Sequence, residues 1–208
     1  MLEENTLASP NQALAFINRC GLVTLFPVKG KQFPSLYGAV QGSREEKLER
    51  SWSWGDELAQ AKRIHYGKLV HGQVTLVSLE LFPYLVRVAR ERQLSAPAQR
   101  MLEYLRQHGQ TSTTALRAAM NLVGKAQRAK FSQALDELQA AFSIAIVARE
   151  KAPKFTYSYD LMERWMPKAL LAKAASLTID AAKEKILAKL VAASVIAAPQ
   201  DVKHFLRL

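Results

Sequence analysis

"GKAQRAKFSQALDELQAAF", residues 124–142, decides how the chain is read. Phe131, Leu135, Leu138 and Phe142 recur at steps of four, three and four, a spacing that lines one side of an α-helix. Two alternating runs follow, "SIAIVARE" (143–150) and "KFTYSYD" (154–160), joined by Lys151-Ala152-Pro153, and they predict a β-hairpin. Two shorter helices precede it. Ser95 caps "APAQRMLEYLRQHG" (96–109), with Met101, Leu102 and Leu105 on its buried side. Ser112 caps a second within "QTSTTALRAAMNL" (110–122), where Leu116 and Met120 lie one turn apart. Three helices and then a hairpin is the order of a winged helix-turn-helix, over residues 94–160.

Residues 1–93 read as an N-terminal α/β unit. Ser9 and Pro10 start a helix whose inner face is Ala13, Phe16, Ile17 and Cys20, and Gly21 ends it. "GLVTLFPV" (21–28) is a short apolar strand, and "FPSLYGAVQG" (33–42) holds only a short helix. The charge-rich "SREEKLER" (43–50) predicts an exposed excursion, after which "WSWGDELAQAKR" (52–63) returns to helix with Trp52 and Trp54 at its entrance. "HYGKLVHGQVTLV" (65–77) predicts a hairpin about His71-Gly72. Ser78 is expected to open a helix in "LELFPYLVRVARER", disturbed by Pro83.

Residues 161–208 read as a helical unit. "DLMERWMPKALLAKAAS" is interrupted by Pro167, Thr178 caps "IDAAKEKILAKLVAAS", and "APQDVKHFLRL" begins one more short helix. The expected class is α+β, mainly α, with a winged-helix architecture.

Composition narrows the function. The 208 residues carry 29 Lys and Arg against 18 Asp and Glu, a net charge of +11. Such an excess repels itself and is offset by a polyanion. Cys20 is the single cysteine, so no internal disulfide and no thiolate cluster can form, which fits the cytoplasm. His65, His71, His108 and His204 lack ligand spacing, so neither a metal nor another cofactor is expected. The acidic Glu3 and Glu4 do not resemble a signal peptide, and no apolar run approaches the roughly 20 residues that span a bilayer.

Charge is concentrated around the three helices. Nine Lys or Arg lie between Arg87 and Lys130, against only Glu91 and Glu103. On the third helix Lys125, Gln127, Arg128 and Ser132 are expected to face away from the core stripe, where they reach phosphates or base edges. Arg117 on the second helix, with Arg149, Lys151 and Lys154 at the wing, are the expected backbone contacts. Tyr157 and Tyr159 alternate with Thr156 and Ser158, and with Phe155 they are expected to pack inward. DNA, duplex by preference, is the expected partner.

Several phrases resemble one family. "ALAFINRCGLVTLFPVKGKQFPSLYGAV", "WSWGDELAQAKRIHYGKLV", "VSLELFPYL" and "YSYDLMERWMP" are similar to the short AlkZ-related winged-helix proteins, relatives of the bacterial AlkZ/YcaQ DNA glycosylases. The resemblance implies tandem winged helices and base-repair chemistry. In the glycosylases, the strand after a helix-ending "LG" carries a Gln-apolar-Gln or Gln-apolar-Asp motif that positions the attacking water. Residues i and i+2 of a strand share a face, so two polar groups can hold one water beneath an extruded nucleotide.

The matching positions here are Thr24 and Phe26, and Phe26 can neither accept a proton nor hydrogen-bond water. The resemblance therefore supplies no catalytic residue. Asp56 and Glu57, beside Trp52 and Trp54, are the substitute candidates, or else carboxylates of a helix's first turn. Residues 178–208 resemble the first two helices of a further winged helix cut short, which implies weaker binding or a homodimer.

Three readings follow: a DNA-binding relative of base-repair glycosylases without the catalytic pair, an active glycosylase on alkylated or crosslinked bases with substituted residues, and a winged-helix protein-interaction module.

Overall fold

Helix α1 (Pro10–Cys20) is set by its two ends. The Ser9 side chain accepts a hydrogen bond from the Gln12 amide, Pro10 sits in the first turn, and the Gly21 amide donates to Ile17 O. Gly21 takes φ +82°, the left-handed conformation that turns a chain out of a helix. The computed structural model describes residues 6–30, 33–70, 72–122, 124–150 and 156–195. Strand β1 (Leu22–Thr24) follows, and then α2 (Leu36–Ala39), capped by Ser35.

Helix α3 (Arg44–Gln60) corrects the expectation of an excursion at 43–50. Ser43 accepts from the Glu46 amide while the Glu46 carboxylate accepts from the Ser43 amide, and Arg50 pairs with Glu46 one turn on. A capping box and an i,i+4 pair let a stretch poor in apolar residues begin a helix. Trp52 and Trp54 therefore lie in mid-helix, and Asp56 and Glu57 near its C-terminal end rather than in a first turn.

The expected hairpin is present as β2 (Ile64–Val70) and β3 (Gln73–Ser78). The first sheet is antiparallel in the order β1-β3-β2, with Leu22 opposite Val77 and Tyr66 opposite Leu76. Ser78 ends β3 instead of opening a helix, and its hydroxyl accepts from the Leu81 amide at 3.3 Å. Helix α4 (Phe82–Ala89) carries Pro83 in its first turn, where a missing N–H has no intrahelical partner to lose.

The central elements are α5 (Ala96–His108), β4 (Thr111–Ser112), α6 (Thr113–Ala119), α7 (Lys125–Ala140), β5 (Ile144–Glu150) and β6 (Thr156–Leu161). Ser95 and Ser112 are the expected caps. Phe131, Leu135, Leu138 and Phe142 are all buried. The second sheet is antiparallel in the order β4-β6-β5. Strand β4 is two residues long and has no alternation of its own, so only its pairing with Ser158 and Tyr159 reveals it. Tyr159 is buried as expected, whereas Tyr157 is half-buried.

Pro167 separates α8 (Met162–Trp165) from α9 (Lys168–Ser176), and Thr178 caps α10 (Ile179–Ala192). The helix expected at 198–208 lies outside the described residues. The fold is thus α+β with two three-stranded antiparallel sheets, and no helix among the described residues is long and apolar enough to cross a membrane.

Buried side chains form one continuous cluster across these elements. The seam between α7 and β2 is bridged by Gln139, 2% exposed, whose Oε1 accepts from the Lys68 amide at 3.0 Å. Gln60 Nε2 donates to Val147 O at 2.8 Å, which ties α3 to β5.

Candidate nucleic-acid interface

Thr24 ends β1 opposite Thr75 and is fully buried. Its backbone N–H and its hydroxyl both donate to Pro34 O, at 2.9 and 3.2 Å. A hydroxyl committed to a backbone carbonyl inside the core cannot position a solvent molecule. Phe26, two residues on, is half-buried and packs with Tyr37 at 5.6 Å and edge-on to Trp52 at 5.4 Å between ring centroids. On the register that the resemblance implies, a buried hydroxyl and an aromatic ring thus stand at the i and i+2 positions.

Beyond Trp52 lies an ion pair that ties α3 to β5 of the second sheet. Arg149 Nε is 2.6 Å from Asp56 Oδ2, and the guanidinium lies 4.9 Å from the centre of the Trp52 ring. The Arg149 side chain is only 8% exposed. This corrects the expectation that Arg149 is a wing contact for phosphate: its charge is held against Asp56 and an indole. Asp56 thus has a guanidinium as well as an indole beside its carboxylate. Glu57 is exposed on the next position of the helix. The pair joins residues far apart in the chain, and the irregular register at Ile146/Ala148 breaks the strict alternation from which a strand's facing is read.

Two phenols complete this wall. Burial pushes the Tyr66 phenol well above its ordinary value, with the neighbouring Tyr157 adding to the effect. Tyr157 is raised too, again chiefly by burial. Both stay neutral in ordinary buffers, and neither is prepared to act as a base.

Helix α7 carries the second part of the site. Lys125, Arg128 and Ser132 are exposed, as is Lys130. Gln127 does not share their face: it lies four residues before Phe131, on the core side, and is half-buried. Lys125, Ala129, Ser132, Asp136 and Ala140 follow one another at steps of four, three, four and four. The last four of these residues line a cleft of about 510 Å³ against Lys68 and Gly72 of the β2–β3 hairpin. The hairpin therefore stands over the C-terminal half of this face, and the Lys125–Lys130 end carries its exposed cations. Nothing in the helical periodicity of α7 announces a hairpin contributed by residues 64–78.

Arg117 is half-buried, its guanidinium 5.0 Å from the centre of the Phe131 ring, so it supports α7 as much as it offers charge. Lys151 and Lys154 lie outside the described residues. Lys130 is exposed as well, but two residues past Arg128 it projects from nearly the opposite side of α7.

Across nearly this whole arrangement, residues 7–207, the chain matches the profile of a family described as AlkZ related. The chain belongs to the AlkZ-related family. No curated protein and no solved structure matches it. Membership relates the chain to the AlkZ/YcaQ glycosylases, as the quoted phrases implied. Within this AlkZ-related protein, the strand position that the resemblance assigns to water activation is occupied by Thr24 and Phe26.

Proposed function

We propose that this AlkZ-related protein binds duplex DNA through a winged helix and lacks the base-releasing chemistry of the glycosylases. The carrying observation is the Thr24–Phe26 position: one hydroxyl is spent on Pro34 O inside the core, and the other side chain is an aromatic ring. The element order α5-β4-α6-α7-β5-β6, with the sheet order β4-β6-β5, supports the winged-helix reading of residues 94–160. On that reading α7 is the recognition helix, and Lys125 and Arg128 at its exposed end meet phosphates or base edges.

The large hydrophobic side chains exposed among the described residues are Leu48 and Val191, neither of them on α7. That favours a polyanion over a protein groove as the partner of this helix.

The test is a paired assay on one preparation. Binding to plain and alkylated duplexes is followed across a salt series, and base release is measured from the alkylated one. Salt-sensitive binding without base release is the expected result. Replacing Lys125 and Arg128 together by Ala should lower the slope of log K against log salt by about 1.8, two phosphate contacts' worth. An unchanged slope removes α7 from the interface. Base release that disappears in Asp56→Asn or Glu57→Gln would instead establish an active glycosylase with relocated chemistry.

A further inference from the structure

A second excess of positive charge lies away from α7. Lys173 on α9 and Lys185 and Lys189 on α10 converge on one carboxylate, Glu80, just ahead of α4. Lys189 Nζ is 2.9 Å from Glu80 Oε2, and its side chain is 21% exposed against 53% for Glu80. Lys173 and Lys185 are exposed and act on the same carboxylate through space. Together the lysines hold the Glu80 carboxyl below its ordinary range, the Lys189 hydrogen bond contributing most and burial opposing it. Lys173 Nζ also stands 5.0 Å from the centre of the Tyr84 ring, which orients it toward the same surface.

Against Glu80 alone these three ammonium groups carry two charges in excess, with Asp180 and Glu184 on the same helix as Lys185 and Lys189. Lys185 and Lys189 lie one turn apart on one helix, an arrangement that weakens a helix in isolation. Nearby Arg87 does not add to the excess, because Glu91 accepts from it at 2.8 Å and Leu177 O at 2.8 Å. The remaining charge is carried by ammoniums on flexible stems. They suit phosphate oxygens approached as point charges and do not supply a planar fork.

We propose that Lys173, Lys185 and Lys189 form a second phosphodiester contact for nucleic acid, with Glu80 the carboxylate that a phosphate displaces from Lys189. This rests on the DNA-binding reading and extends it. The duplex would be gripped at α7 and again at α9–α10. The whole-chain charge of +11 favours nucleic acid over a partner of mixed charge.

The experiment measures binding of a 20-base-pair duplex by fluorescence anisotropy across a salt series. It compares the wild type with Lys173→Gln/Lys185→Gln, Glu80→Gln and Lys125→Gln/Arg128→Gln. All of these positions are exposed, and Gln keeps much of each lysine's stem. The Lys173/Lys185 variant should bind several-fold more weakly at low salt and lose about 1.8 from its salt slope, independently of the α7 variant. Glu80→Gln should bind more tightly than the wild type, because it removes the patch's own anion.

A wild-type slope in the Lys173/Lys185 variant, together with a reduced slope in the α7 variant, would overturn this contact and leave the DNA reading standing. Absence of salt-dependent duplex binding in the wild type would overturn both. Weaker binding in Glu80→Gln would show that the carboxylate only supports the fold there and overturn the patch. Loss of binding to phosphatidylserine vesicles, with duplex binding intact, would assign the patch to a membrane surface and overturn it for nucleic acid.

Discussion

His65 makes the stability of this protein depend on acid. The ring lies on β2 at the seam with the central elements, 2% exposed, with the Phe82 and Phe142 rings at 5.4 and 5.0 Å between centroids. Its Nε2 has no hydrogen-bond partner among the described residues. Burial drives the imidazole from its ordinary 6.5 down to about 3 in the folded chain. The unfolded chain takes up a proton near 6.5 that the folded chain refuses until about 3. Stability from this group is therefore complete above 6.5 and falls progressively as the pH drops towards 3.

Each unit of separation is worth about 1.4 kcal/mol, so lowering the pH from 7 to 5 should remove about 2 kcal/mol through this group alone. The full separation corresponds to about 5 kcal/mol, a large share of a domain's typical stability. The assay is urea unfolding of the wild type and His65→Leu at pH 7 and pH 5. Other titrating groups shift both proteins alike, so the difference between the two pH responses isolates the imidazole. The wild type should lose about 2 kcal/mol more than the variant. At pH 7 the variant should be close to neutral, since the substitution also removes an orphaned polar atom. Parallel losses in the two proteins would refute the reasoning and place a partner or a water against Nε2.

Three further substitutions probe the wall at Trp52 and the start of α3. Asp56→Asn leaves the Arg149 guanidinium without its carboxylate and should cost about 2 kcal/mol, less than a fully buried pair because the Asp56 side chain is 25% exposed. The urea midpoint reads it, and an unchanged midpoint would mean that Arg149 relaxes to solvent. Phe26→Ala should cost about 2 kcal/mol, below the range for a fully buried phenylalanine, and should shift Trp fluorescence because the ring packs on Trp52. An unchanged spectrum would place Phe26 outside the cluster. Ser43→Ala should cost about 1 kcal/mol by removing half of a capping box, and a second change at Glu46 should then add little. Fully additive losses would show that the two side chains do not act as a unit.

Periodicity and caps were legible in the residues themselves. The stripe from Phe131 to Phe142, the caps at Ser9, Ser95, Ser112 and Thr178, the 64–78 hairpin and the break at Pro167 depend on neighbours within one or two turns, so a single chain encodes them. The chemistry open to Thr24 and Phe26 was equally visible, because no fold gives Phe26 a hydrogen-bonding group. Strand β4 and the position of Arg149 were not visible. A two-residue strand exists only through its partner, and an irregular register removes the alternation that would have aimed the guanidinium.

The sequence by itself therefore determined most of the elements, the excess of positive charge and the chemistry that Thr24 and Phe26 can offer. Tertiary structure alone decided which charged and polar groups are spent and which remain. Arg149 is consumed by Asp56 from another element, Gln139 by the Lys68 backbone, and part of the α7 face by the β2–β3 hairpin. Lys125, Arg128 and Lys130 are left exposed on α7, and three lysines are gathered around Glu80. Charge neutralisation acts over a few ångströms in space, and those distances are set by packing, not by separation along the chain.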